Sequence, residues 1–140
     1  SAGNRASIAT EIDRVATGIA SAHAMSATVG LHEGYPATMN DETEQAFAEE
    51  VLRDLFGADR WVDQPFPEAG SEDMSFVLNE VPGAYLNISA CPAGVDPSTA
   101  ADNHSPRADF DDSVVPDIAT FLAEVALRRS AALATGIAHT

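Results

Sequence analysis

Ile8, Ile12, Val15 and Ile19 recur every three or four residues, with Glu11, Asp13 and Arg14 on the opposite side. This period predicts an amphipathic helix over residues 5–23. From Ala27 the period changes to two: Ala27, Val29, Leu31, Glu33 and Tyr35 alternate with Thr28, Gly30, His32 and Gly34. That alternation predicts a strand, at a sheet edge given its glycines and Pro36. Asn40 and Asp41 are both good N-cap types, and Asp41 with Glu44 resembles a capping box. The stripe Phe47, Val51, Leu52 and Leu55 then predicts a second helix that stops at Gly57.

A short strand is expected through Trp61 and Val62 before Pro65 and Pro67. A helix capped by Ser71 follows, with Met74, Val77, Leu78 and Val81 facing a core up to Pro82-Gly83. Residues 84–90 read as a strand, and residues 91–113 as an aperiodic Pro-, Gly-, Asp-, Ser- and Asn-rich connection. A connection of that length in a compact domain is functional or disordered. Pro116 suits a first helical turn, and Ile118, Phe121, Leu122 and Val125 carry that last helix to about Ala132, with a frayed tail beyond. Helices and strands alternating in this order predict a layered α/β architecture. The first helix and strand are too small to form a core alone, so they must pack on the rest of the chain, on further sequence or on a second subunit.

Charge changes the picture in two ways. Seven basic residues, all arginine, stand against 22 acidic ones, a net of −15. A field of that sign repels phosphate backbones and anionic lipid surfaces, so neither nucleic acid nor membrane is an expected partner. The charge is also uneven, −1 over residues 1–40 and −14 over the rest, which marks a boundary near Asn40. Cys91 is the single cysteine, so no internal disulfide forms. No apolar run reaches membrane-spanning length, and the opening Ser-Ala-Gly-Asn-Arg has no leader pattern; the expected setting is cytoplasmic.

Candidate chemistry is sparse. His104 lies in Asp102-Asn103-His104-Ser105-Pro106-Arg107, at the end of the irregular connection after a predicted strand, where α/β proteins place ligands. A neutral imidazole beside a carboxylate is a common metal ligand, and equally an ordinary surface histidine among solvated acids. Gly70-Ser71-Glu72-Asp73 opens a predicted helix. It could hold an anion or supply a base in Glu72, or it could be a plain cap. His23, His32 and His139 have no partners at metal-site spacing. Cys91, before Pro92, has no cationic neighbour to activate it. Phosphate loops, nucleophile elbows and paired-cysteine metal motifs are all missing.

Four stretches together resemble the C-terminal third of the hippurate hydrolase and auxin-conjugate amidohydrolase family, relatives of aminoacylase and carboxypeptidase G. They are Gly34-Tyr35-Pro36-Ala37-Thr38-Met39-Asn40-Asp41; the stretch from Ala69 through Gly70-Ser71-Glu72-Asp73 to Leu78; Val81-Pro82-Gly83-Ala84-Tyr85; and His104-Ser105-Pro106-Arg107 with Asp109-Phe110-Asp111-Asp112. They occur in the family's order, and the resemblance covers nearly the whole chain, from the first helix to about Ala131.

The resemblance implies a fold in which residues 1–38 are the last helix and strand of an inserted lid or dimerisation domain. Residues 39–140 would then be the C-terminal part of a metallopeptidase-like catalytic α/β domain. It implies that His104 is the family's final metal ligand and that residues 70–73 line the substrate pocket. Cleavage of N-acyl amino acids at a dinuclear centre of zinc, manganese or nickel is implied for the intact enzyme, which would be a homodimer. The family's Cys-Gly-His-Asp motif, its Glu-Glu pair with the general base and a further histidine ligand do not occur here. Cys91 precedes a proline, and Glu49-Glu50 falls inside a predicted helix. The chain alone is therefore expected to bind no metal and to be inactive. The alternative is a non-enzymatic acidic α/β module that dimerises or binds cations.

Overall fold

The computed structural model describes residues 2–68 and 70–134; Ala69, the tail from residue 135 and His139 within it lie outside them. Among the described residues there are four α-helices: α1 (Ala2–Ala22), α2 (Glu42–Phe56), α3 (Met74–Glu80) and α4 (Val115–Ala134). The chain divides into two units, Ser1–Asp41 with Phe66–Tyr85, and Glu42–Pro65 with Leu86–Thr140.

In the first unit, α1 carries the predicted apolar stripe and closes in a Schellman turn. The Met25 N–H donates to the Ala20 carbonyl (2.8 Å) and the Ala24 N–H to the Ser21 carbonyl (3.0 Å). Ala24 takes the left-handed conformation this turn needs, at φ 54°. The stripe stays open: Ile8, Ile12, Val15 and Ile19 are all about half exposed, and the first three line a shallow apolar groove with Ser7, Glu11 and Ala16. The Arg5 guanidinium reaches across 30 residues to donate to the Tyr35 carbonyl (2.7 Å). The Tyr35 ring meets Phe76 of α3 edge to face, centroids 5.6 Å apart. Ser75, in the first turn of α3, is fully buried, and its Oγ has no hydrogen-bond partner.

The second unit is built on α2 and α4. Ala48, Val51 and Phe121 are its buried centre, with Phe47, Leu52, Leu55, Phe56, Leu86 and Val125 packed around them. Arginines stitch its rim. Arg128 binds Glu124 on its own helix (3.1 Å) and Asp54 of α2 (2.7 Å), while Arg129 pairs with Glu44 and lies 4.2 Å over the Phe47 ring. Helix α2 ends at Gly57, whose φ of 97° is open to glycine and strained for other residues, and the Arg53 guanidinium caps the following 3-10 turn at the Ala58 carbonyl.

The helices form close to where the sequence pattern places them, although Val77 and Val81, expected to face a core, are exposed, as is Leu122; the strands do not form. No strand forms among the described residues: 27–35, 61–62 and 84–90 are irregular and carry no ladder. Alternation specifies which face a strand would bury, but a strand exists only when a neighbour supplies the ladder hydrogen bonds. Among the described residues none of these segments finds one. Helix α3 also differs from expectation, beginning at Met74 with Asp73 as its N-cap, and Ser71 does not cap it.

Val51 is 1 % and Phe121 6 % exposed, against 60 % for Leu122 on the same helix as Phe121. Val51→Ala is expected to destabilise its unit by about 2 kcal/mol and Phe121→Ala by about 3–5 kcal/mol. Leu122→Ala should stay within about 0.5 kcal/mol. Ser75→Ala, which removes an unpartnered hydroxyl, should be neutral or stabilising. Urea unfolding followed by circular dichroism measures all four; equal losses at Phe121 and Leu122 would contradict this core.

Candidate functional site

The two candidate loci fall in different units, Gly70–Asp73 in the first and His104 in the second. Gly70–Asp73 leads directly into α3. Gly70 has open space where a Cβ would stand and no positive φ, so the backbone itself does not require glycine there. Ser71 and Asp73 are exposed, and Glu72 is half-buried. The Glu72 carboxylate has a defined place: Oε1 accepts the Met74 N–H (3.2 Å) and Oε2 accepts the Tyr85 hydroxyl (2.9 Å). The Met74 amide, then Tyr85 and then Asp73 hold this carboxyl below its ordinary range. The hydrogen bond to Glu72, and its charge, push the Tyr85 phenol up.

Tyr85 is itself held through its backbone. Asn40 Oδ1 accepts the Tyr85 N–H (2.8 Å), and Asn40 Nδ2 donates to the Tyr85 carbonyl (3.2 Å). One step away, the Asp41 N–H donates to the Gly83 carbonyl (2.9 Å). Three of the four motif stretches therefore meet in one network. The pattern along the chain does not disclose this, because Asn40 reads as a helix cap. The available signal is redundancy: α2 begins at Glu42, so Asp41 alone is in the capping position and Asn40 is left for tertiary work.

His104 stands in a run of aspartate-seeded turns. Asp96 Oδ1 accepts from the Ser98 N–H (2.9 Å) and hydroxyl (2.8 Å). Asp102 Oδ1 accepts the His104 N–H (2.9 Å), and the Asp102 carbonyl accepts the Ser105 N–H (2.8 Å). Ser105 Oγ in turn accepts the Arg107 N–H (3.1 Å). The Asp111 N–H closes the whole connection on the Ala90 carbonyl (2.9 Å), while Asp111 Oδ1 accepts the Ser113 N–H ahead of α4. The hydroxyl and amide of Ser98 hold Asp96 below the ordinary aspartate range, and those of Ser113 do the same for Asp111.

His104 is exposed, and its backbone, rather than its imidazole, makes the hydrogen bond. Among the described residues no group of three or more His, Cys, Asp or Glu side chains is arranged to hold a metal ion. The residues present thus do not fit a metal centre by themselves; they offer one imidazole, with its main chain fixed by Asp102.

Residues 6–128 match Peptidase family M20/M25/M40. A Bacillus subtilis (strain 168) protein carrying the name amidohydrolase YhaA is 28% identical over 117 residues, which are 84% of this chain and 29% of that protein. The IAA-amino acid hydrolase ILR1-like 4 of Arabidopsis thaliana is 31% identical over 121 residues, 84% of this chain and 27% of that protein. The chain thus spans under a third of the length of these relatives. No solved structure matches it significantly.

The Asp111 turn has a pH signature. A folded-state pKa below the unfolded one gives stability that is present at neutral pH and lost as pH falls through the folded value. The Ser113 amide resonance should therefore move with acid at a lower pH than it would beside an unpaired aspartate. Asp111→Ala should displace it at every pH, whereas Asp111→Asn keeps an acceptor and should displace it less. A resonance that ignores both substitutions would remove Asp111 as the cap.

Proposed function

The chain belongs to peptidase family M20/M25/M40, and from that membership we propose that it is the C-terminal portion of a metal-dependent amidohydrolase acting on N-acyl amino acids. The observation that carries the reading is the family match over residues 6–128, within which all four motif stretches fall. Relatives named amidohydrolase and IAA-amino acid hydrolase support the reaction class.

In this reading residues 1–38 belong to a lid or dimerisation domain and residues 39–140 to the catalytic domain. Segments 27–35 and 84–90 become strands of a layered α/β fold once their ladder partners are supplied by sequence outside this chain. The open stripe of α1 packs on the rest of the lid or on a second subunit in a homodimer. Among the described residues no helix is long and apolar enough to cross a membrane; the single Cys91 favours a cytoplasmic setting.

His104 is assigned as one ligand of a divalent ion, zinc, manganese or nickel, whose other ligands and general-base glutamate lie outside this chain. An imidazole alone does not distinguish these metals. Residues 70–73 are assigned to the substrate pocket, with Glu72 bound by its own helix start and by Tyr85, so that it positions rather than transfers protons. No step of amide cleavage can be completed by the residues present.

The 140-residue chain is therefore expected to show no hydrolysis of hippurate or related N-acyl amino acids when zinc, manganese or nickel is added, because preorganised ligands supply most metal affinity. Turnover that survives purification and disappears in His104→Ala would contradict the assignment of the missing ligands to other sequence.

A further inference from the structure

We propose that Tyr85 is a positioning residue, the centre of a latch running from Asn40 through Tyr85 to Glu72 that sets the placement of residues 70–73. The proposal rests on the assignment of those residues to the substrate pocket.

The geometry supplies each link. Asn40 uses its amide on both backbone groups of Tyr85, as the peptide of a neighbouring strand would, and the Asp41 N–H adds a third bond at Gly83. The residue 83–85 backbone is thereby held at three points to the segment from Tyr35 to Asp41, the return segment that leads into α2. From that base the Tyr85 hydroxyl spans 13 residues of sequence to Glu72 Oε2. The other oxygen of the same carboxylate caps Met74, the first residue of α3. Capping alone needs only one carboxylate oxygen. The phenol bond does something further: it ties the end of the 70–73 segment to a backbone that the return segment has already fixed. The Tyr35–Phe76 ring contact is a second tie between the return segment and α3.

The charges facing the latch keep it closed. Glu72, Asp73 and Glu68 all raise the Tyr85 phenol, so it stays a donor through the neutral range, and the depressed Glu72 carboxyl stays an acceptor. A neutral donor on an ionised acceptor is the stronger kind of hydrogen bond, and neither partner changes state near pH 7. The latch is a fixed support and not a pH switch.

Tyr85→Phe keeps the ring and removes the hydroxyl. In the 140-residue chain, the Glu72 carboxyl carbon should titrate at a higher pH in Tyr85→Phe than in the wild type, followed by carbon-detected NMR. In the intact protein, KM for an N-acyl amino acid such as hippurate should rise about fivefold, the worth of a partly solvated hydrogen bond to a charged group, with kcat within about twofold. Asn40→Ala should move KM in the same direction by releasing the Tyr85 backbone. A hydrogen bond that served stability alone would lower the unfolding midpoint and leave KM unchanged, which overturns the proposal. Ser71→Ala separates the two levels of inference. If it raises KM while Tyr85→Phe does not, the latch is wrong and the pocket assignment stands. If neither does, the pocket assignment fails and the latch has no site to support.

Discussion

The segment 83–90 has no ladder among the described residues, and the hydrogen bonds at its two ends fix its place in each unit. None of these residues is buried, so water can serve the polar groups that the chain does not pair. In the first unit a side chain stands in: the Asn40 amide serves both polar groups of Tyr85, and the Asp41 N–H serves Gly83. In the second, the Asp111 N–H meets the Ala90 carbonyl at the far end of the segment. Residues 86–89 between them form no backbone hydrogen bond among the described residues. That gap gives the α/β proposal its physical content, because a strand from outside this chain would have groups to pair with there.

The acidic surplus is organised rather than diffuse. Asp96, Asp102, Asp109 and Asp111 each accept a nearby backbone N–H, turning an aperiodic connection into a succession of defined turns. On α2 and α4 the arginines answer carboxylates between and along the helices, with Arg128 bridging Glu124 and Asp54. A net charge of −15 therefore coexists with local pairing, and the exposed pairs each contribute little to stability. The α2–α4 unit owes its stability mainly to Val51, Phe121 and their neighbours.

Legibility in the sequence followed the range of the interactions. The stripes Ile8–Ile19 and Phe47–Leu55, the stop at Gly57 and the start beside Pro116 were readable because a helix satisfies its own backbone and its period shows which face is apolar, even where, as on α1, that face stays open. The alternation at 27–35 and the strand-like run at 84–90 were readable as patterns but not as structure, since a strand's hydrogen bonds belong to whichever segment lies alongside. The role of Tyr85 was hidden for a related reason: its partners are 45 and 13 residues away, and no local rule pairs Asn40 with a tyrosine backbone. Ser71 misled because serine before an apolar run is a good cap, while the neighbouring Glu72 takes the Met74 N–H instead. For His104, its residue type and motif raised the ligand reading, and the structure adds the Asp102 turn that fixes its main chain.

In the proposed enzyme this chain brings a single ligand, His104, to a centre completed by sequence outside it. Metal content addresses that claim without depending on substrate identity. The measurement is the number of divalent ions per subunit, by plasma mass spectrometry, in the intact protein and in His104→Ala, with circular dichroism confirming the same fold. Loss of bound metal in a folded His104→Ala protein is the expected result. A full complement of metal in that variant would contradict the account.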